Sequence, residues 1–166
     1  DEHENEKLNV NKLAIVGADF SAIVSLVYTD FDWGKEPYDD AAIPAQRTPR
    51  GQDVRALILI SPDSTVPGLV PIPAIARVRA LQMPVMIAVG EKDTLDKGAA
   101  KKLADQIMPK KEDKPHVFLE TYPFKFRGTD LLNKGTKLEA QMFKFLDDNV
   151  KKSPGEWRTR KSPLQD

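Results

Sequence analysis

The sequence predicts an α/β fold of three layers (α/β/α), in which helices cover both faces of a mainly parallel sheet of four strands. Four short runs rich in Val, Ile and Leu stand at residues 13–16, 54–60, 85–89 and 116–120. Each run is followed by apolar residues at helical spacing. This alternation is typical of βαβ units, whose right-handed crossovers bring the carboxyl ends of the strands to one edge of the sheet.

The bulk composition fits one domain and argues against several functional classes. The chain has 166 residues, and its 25 basic residues balance 25 acidic ones. A zero net charge argues against a nucleic-acid partner and against a polybasic membrane binder. There is no apolar run of about 20 residues for a membrane span, and no cysteine for a disulfide, a thiolate metal site or a nucleophile. The chain reads as a soluble globular protein whose compartment is left open, with export after removal of a signal peptide as one option.

The first strand, turn and helix occupy residues 13–25, LAIVGADFSAIVS, after a charged lead-in at residues 1–12. We expect a buried strand, a turn that ends at Asp19, and a helix over about residues 20–29. A residue at the apex of such a turn adopts a positive φ angle, which Asp tolerates better than most residues. We therefore expect Asp19 to stand at the carboxyl edge of the sheet.

Proline, glycine and the helical period set the remaining boundaries. Pro62 breaks the second strand, Gly90 ends the third, and Pro109 lies just beyond a helix. A domain is expected over residues 1–150, with a flexible tail over residues 151–166. In order, we expect a loop at 30–53, helices at 74–80, 97–108 and 135–150, and a loop at 122–133 before the last helix.

Four segments at the predicted edge resemble the C-terminal half of the α/β-hydrolase fold, over about residues 8–150. Residues 13–22, LAIVGADFSA, are similar to the nucleophile elbow, whose pattern is G-x-S-x-G. Residues 58–62, ILISP, resemble the sixth strand of that family. Residues 84–93, PVMIAVGEKD, resemble its seventh strand and the turn that bears the acid. Residues 126–132, FRGTDLL, resemble the loop that carries the catalytic histidine.

The resemblance implies a catalytic triad that is only partly filled. It puts Asp19 at the nucleophile position, Asp93 at the acid position and Arg127 at the histidine position. A guanidinium group does not lose its proton at ordinary pH, so Arg127 cannot serve as a base. Ser21 replaces the second glycine of the elbow, and the first four strands of the family have no counterpart here.

Asp19 is therefore a weak candidate for a nucleophile. Haloalkane dehalogenases and epoxide hydrolases of this fold attack carbon with an Asp here, but a base must then activate the water that hydrolyses the ester. Of the two histidines, His3 lies in the lead-in, and His116 begins the fourth strand roughly 15 Å from the edge. We interpret Asp19 as a charge-paired residue that caps the helix, with a nucleophile and a direct ligand contact as the alternatives.

An ion-pair cluster is predicted in place of the triad. We expect Arg127 to pair with Asp93, and with Asp19 as an option, through the forked hydrogen bonds that a guanidinium makes. As alternatives, Asp93 is a turn residue and Arg127 an exposed loop charge. Arg127, Ser21 and Ser61 are the candidate binding residues, since an arginine in such a pocket could grip the carboxylate or phosphate of a small-molecule ligand. For Ser21, a role as a small residue at a close packing point is favoured over a role as nucleophile.

No cofactor and no metal are expected. The sequence has neither a P-loop nor a GxGxxG fingerprint. An acidic cluster lacks the 12-residue spacing of a calcium loop and is interpreted as a solvated loop. Its members are Asp30, Asp32, Glu36, Asp39 and Asp40.

Two functions from different classes follow. The favoured one is a non-catalytic α/β-hydrolase-like domain with a binding or structural role. The alternative is a hydrolase acting on ester or similar bonds, whose remaining catalytic parts lie upstream or on another chain. A flavodoxin-like binding domain is a third option. Since an unpaired apolar edge at Leu13 to Val16 would be an aggregation hazard, we expect a second chain or a homo-oligomer to cover it.

Overall fold

A computed structural model of the chain describes residues 7–110 and 115–154, and its four strands form one all-parallel sheet. The strands are β1 (Leu13–Ala18), β2 (Val54–Ile60), β3 (Val85–Gly90) and β4 (Val117–Tyr122). They pair in the order β1-β2-β3-β4, and each neighbouring pair is parallel. The predicted fold class is confirmed, because short apolar runs buried on both faces are what a parallel sheet requires.

Four helices cover the two faces of the sheet. They are α1 (Phe20–Trp33), α2 (Ile72–Ala80), α3 (Ala99–Ile107) and α4 (Leu138–Leu146), which a π-helical turn continues over Asp147–Lys151. Because consecutive strands are neighbours and their crossovers are right-handed, the three connecting helices share one face. The last helix follows β4 and covers the other face.

Two apolar cores lie on either side of the sheet. In β2, Leu57 and Leu59 face the core shared with α1, α2 and α3, whereas Ile58 and Ile60 face the core shared with α4. Successive strand residues point to opposite faces, so this one strand supplies both cores. All four side chains are at most 1% exposed.

Two helices begin later than predicted. The last helix, expected from residue 135, begins at Leu138 because Lys137 has a φ angle of 65°. The hydroxyl of Thr136 accepts the N–H of Leu138, which holds this start in place. The third helix, expected from residue 97, begins at Ala99 because Lys97 and the following glycine also have positive φ angles. Left-handed residues cannot join a right-handed helix.

The first helix runs one turn longer than predicted, and this changes the interpretation of the acidic cluster. Instead of ending near residue 29, α1 continues to Trp33. Asp32 is 1% exposed, and its Oδ2 accepts the N–H groups of Asp53 at 2.7 Å and Val54 at 3.1 Å. The prediction of a solvated loop is wrong for Asp32, because its carboxylate anchors the start of β2.

The other elements begin and end within two residues of their predicted bounds. Two predictions lie outside the described residues: the placement of His3, and the flexible tail from residue 155 onward. Among the helices of the described segments, none combines the length and the apolar character needed to cross a bilayer.

Candidate functional site

Asp19 occupies a strained turn at the carboxyl edge of the sheet. Its φ and ψ angles are 53° and −124°, so the predicted positive φ is confirmed. The Asp19 N–H donates to the carbonyl of Ile60 at 2.9 Å, and its carbonyl accepts the N–H of Ala22 at 3.2 Å. Such a backbone costs on the order of 1–3 kcal/mol and persists only where its surroundings hold it.

Small residues let this turn form. A Cβ atom at Gly17 would stand 2.8 Å from the Cα of Ala22, so only glycine allows the strand and the helix to lie this close. Ser21 Oγ accepts the N–H of Ala18 at 2.8 Å and donates to its carbonyl at 2.7 Å. The structure thus gives the Ser21 hydroxyl a part in shaping the turn, and its binding role stays a prediction.

Ser61 joins the end of β2 to the loop that carries Arg127. It is fully buried, it has a φ angle of 46°, and its N–H donates to the carbonyl of Ala88 at 2.7 Å. Its Oγ accepts the N–H of Gly128 at 2.9 Å. This candidate binding residue therefore lies below the surface of the edge, and its hydroxyl fixes the loop.

Arg127 lies at the centre of three carboxylates, and the predicted ion-pair cluster is confirmed. Its Nη1 is 2.7 Å from Asp93 Oδ2, its Nε is 3.0 Å from Asp19 Oδ1, and its Nη2 pairs with Asp63 Oδ1. The Arg127 side chain is 20% exposed and that of Asp93 only 3%. Every nitrogen of the guanidinium thus faces a carboxylate. We call these four residues the Arg127 cluster.

Sequence reasoning missed Asp63 as a member of the Arg127 cluster. Asp63 follows the predicted strand at residues 54–60, which puts it near the carboxyl edge, but a strand pattern does not show which way a loop side chain points. The N–H of Asp63 donates to the carbonyl of Asp19 at 3.4 Å, so the two turns are joined through their backbones. A charged residue directly after a strand break was the signal that could have identified it.

The prediction that Asp19 caps α1 with its side chain is wrong. Asp19 stands at the N-cap position, but its side chain accepts no bond from the helix. The carboxylate turns instead toward Arg127 and Gly128, where a Cβ atom on Gly128 would overlap it. The 3.0 Å contact of Asp19 Oδ1 with Arg127 lacks hydrogen-bond alignment, so charge alone holds this pair.

The protonation of the Arg127 cluster follows from one cation shared by several acids. Burial raises the pKa of Asp19; Arg127 opposes that rise, and the charges of Asp63, Asp93 and Asp130 add to it. For Arg127, burial opposes the charged form, but hydrogen bonds and charge from Asp93, Asp63 and Asp19 raise its pKa above the usual value. The guanidinium therefore stays charged, whereas Asp19 holds its proton to a higher pH than an isolated Asp.

Among the described residues, no histidine lies near the Arg127 cluster to act as a general base. Their single histidine, His116, directly precedes β4, and the six residues of that strand put it roughly 20 Å from the carboxyl edge. No group of His, Cys, Asp and Glu in the described part of the chain is arranged to hold a metal ion. The arrangement can neutralise, orient and fix charges, and it offers Asp19 as the nucleophile nearest to solvent.

No protein-family model, curated protein or solved structure matches this chain. The resemblance to the α/β-hydrolase fold therefore stays a prediction. The functional conclusion rests on the geometry of the Arg127 cluster.

Proposed function

We propose that the chain is a non-catalytic α/β-hydrolase-like domain with a structural or binding role. The observation that carries the proposal is an arginine paired with Asp19, Asp63 and Asp93 where the resemblance expects a histidine. Two of these carboxylates, Asp63 and Asp93, accept hydrogen bonds from the guanidinium, and such charge-assisted bonds fix its position. The same pairing makes Arg127 a poor site for an anionic ligand, because each of its nitrogens already faces a carboxylate.

The chemistry of Asp19 supports the same conclusion. As a nucleophile, a carboxylate oxygen of Asp19 would form a bond to carbon, and the leaving group would depart with its electron pair. The resulting ester would be hydrolysed only slowly, since water needs a base to remove its proton. Arg127 stays protonated, and the raised pKa of Asp19 lowers the fraction of its reactive form at acidic pH.

A hydrolase whose remaining catalytic parts lie upstream or on another chain is the second candidate. The backbone of Asp19 favours it, because residues held at such angles cluster at functional sites. The Asp19 side chain is also 38% exposed, so a group from outside could reach it. This candidate requires a base in place of the missing histidine, either a carboxylate of the Arg127 cluster or a group from beyond the described residues.

The two candidates differ in the reaction of Asp19 with electrophiles. The chain would be incubated with p-nitrophenyl acetate, and separately with a primary alkyl bromide and an epoxide. Turnover would be followed by absorbance, and covalent adducts by mass spectrometry of peptides. The matched variants are Asp19→Asn and Asp105→Asn, the latter at an exposed acid paired with Lys101 on α3.

We expect all three proteins to release p-nitrophenol at the same background rate and to carry no adduct on the peptide that contains Asp19. A wild-type rate about tenfold above that of Asp19→Asn, a difference of about 1.4 kcal/mol in barrier, would overturn the non-catalytic proposal. An alkyl adduct on Asp19 would do the same, even without turnover.

A further inference from the structure

The outer edge of β1 carries peptide groups without partners in the described residues. Among those residues β1 pairs only with β2. The N–H of Asp19 points toward β2, where it meets Ile60. The N–H and C=O groups of successive residues point alternately to the two sides of a strand. The groups of Ala14, Val16 and Ala18 therefore point away from β2, toward the outer edge. Ser21 satisfies those of Ala18, which leaves the N–H and C=O groups of Ala14 and Val16 facing outward.

Apolar side chains are exposed on β1 and on two helices that lie next to it, α1 and α4. On the side of α4, Val16 is 48% exposed and Phe143 is 74% exposed. Phe143 borders a cavity of 480 Å³ that Ala14, Leu146 and Val150 also line. On the other side, α1 exposes a stripe at helical spacing. Its members are Phe20, Val24, Tyr28 and Phe31.

The exposed apolar area is comparable with the apolar area on one side of a standard interface. A whole aromatic side chain has a surface of about 200 Å². On this basis, the exposed parts of four aromatic rings come to roughly 500 Å². The four rings belong to Phe20, Tyr28, Phe31 and Phe143. A standard interface buries about 800 Å² on each partner, of which about 60% is apolar. The surface formed by β1, α1 and Phe143 therefore provides the apolar area that one side of such an interface needs.

We propose that two copies of the chain pair through β1 as antiparallel strands, across a two-fold axis at Ile15. In this register Ala14 stands opposite Val16 of the second copy, and each of these two pairs exchanges two N–H···O bonds. The two sheets then form one sheet of eight strands. The interface is isologous, since the same surface serves both copies. The proposal concerns a partner and does not depend on whether Asp19 is catalytic.

Charge favours the antiparallel arrangement. Lys12 stands at the start of β1, where its Nζ donates to the carbonyl of Lys151 at 2.7 Å. The Arg127 cluster at the end of β1 contains three carboxylates and one guanidinium. Antiparallel pairing places Lys12 opposite Ala18 of the second copy, next to this acidic end. A parallel arrangement would bring equal charges together.

The first experiment measures mass and hydrogen exchange on the unaltered chain. Sedimentation or light scattering should give twice the 18.6 kDa of one chain at micromolar to millimolar concentration. The amides of Ala14 and Val16 should exchange more slowly as the concentration rises. A monomer across the whole range would overturn the proposal, whichever other segment or partner covers the edge. A dimer whose Ala14 and Val16 amides show no dependence on concentration would also overturn it.

The second experiment places a lysine on the edge. Val16→Lys should raise the dimer dissociation constant at least about tenfold, because edge lysines block strand pairing. Leu95→Lys is the control, since Leu95 is 68% exposed and lies away from β1. Phe143→Ser should also weaken the dimer. Because this variant removes only an exposed ring, it tests the interface even if Val16→Lys does not fold. Equal effects of the Val16 and Leu95 variants, or an unaltered dimer in all three, would contradict the proposed interface.

Discussion

Replacing Arg127 by Met should destabilise the fold more than any surface charge change, because it leaves three acids without their shared cation. The methionine keeps most of the apolar stem and removes the guanidinium. Asp93, at 3% exposure, becomes a buried unpaired charge, which typically costs about 3–5 kcal/mol. The pairs with Asp19 and Asp63 are about one-third exposed and add at most about 1 kcal/mol each.

A total loss of about 5 kcal/mol is a large part of the 5–15 kcal/mol that stabilises a typical domain. For a chain of this size, each kcal/mol lowers the melting temperature by about 2–4 °C, so Arg127→Met should melt roughly 10–20 °C lower. Urea titration at neutral pH, followed by circular dichroism, measures the free energy of unfolding directly. Arg77→Met is the matched control, because Arg77 is 43% exposed and, among the described residues, forms its ion pair with Asp30 alone. It should lose less than about 1 kcal/mol.

A second change separates unpaired charge from lost packing. Adding Asp93→Asn to Arg127→Met removes the buried charge, so the double variant should be more stable than Arg127→Met by about 1–3 kcal/mol. If Arg127→Met loses no more free energy of unfolding than Arg77→Met, the Arg127 cluster does not stabilise the fold. If Asp93→Asn recovers nothing, the loss comes from packing rather than from charge.

Three further changes test Asp19, Gly128 and Asp32. Since burial raises the folded-state pKa of Asp19 above 3.8, the contribution of Asp19 to stability falls as the pH rises from 3.8 through that pKa. The stability of Asp19→Asn relative to wild type should therefore grow across this window in urea titrations at graded pH; a pH-independent difference would refute the sign. Gly128→Ala should lose about 2–4 kcal/mol in urea, and Gly135→Ala about 1 kcal/mol, because both have positive φ but only Gly128 has a carboxylate in the way. Asp32→Ala should lose about 2–4 kcal/mol of unfolding free energy, whereas Asp39→Ala, at an 85% exposed side chain, should lose under about 1 kcal/mol.

The sheet could be predicted because the strands are short apolar runs that end at recognisable residues. The residues that end the strands also placed Asp19, Ser61 and Asp93 at one edge, since parallel strands end together. Arg127 was found through the resemblance of its loop, and its pairing then followed from charge. Local sequence patterns thus predicted the parallel sheet and most members of the Arg127 cluster.

The features that sequence reasoning missed depend on side-chain direction and on contacts distant along the chain. Asp63 was not identified as a partner of Arg127, because the two residues are 64 positions apart. Asp32 was assigned to solvent, although it binds the start of β2 across 22 positions. The late start of α4 depends on the left-handed Lys137, a conformation that a lysine in a helical pattern does not indicate.

Three left-handed residues meet at the carboxyl edge, and their bonds explain how the strain persists. Asp19, Ser61 and Gly128 have φ angles of 53°, 46° and 53°. Asp19 is bonded to the end of β2 through Ile60, and Gly128 is bonded to Ser61 Oγ. Each strained residue is thus held by the next segment along the edge, and the absence of a Cβ on Gly128 leaves space for the Asp19 carboxylate. The strained turn that presents the Asp19 carboxylate is therefore held by bonds to neighbouring segments of the edge. With an arginine opposite, this turn holds the carboxylate 3.0 Å from Arg127 Nε.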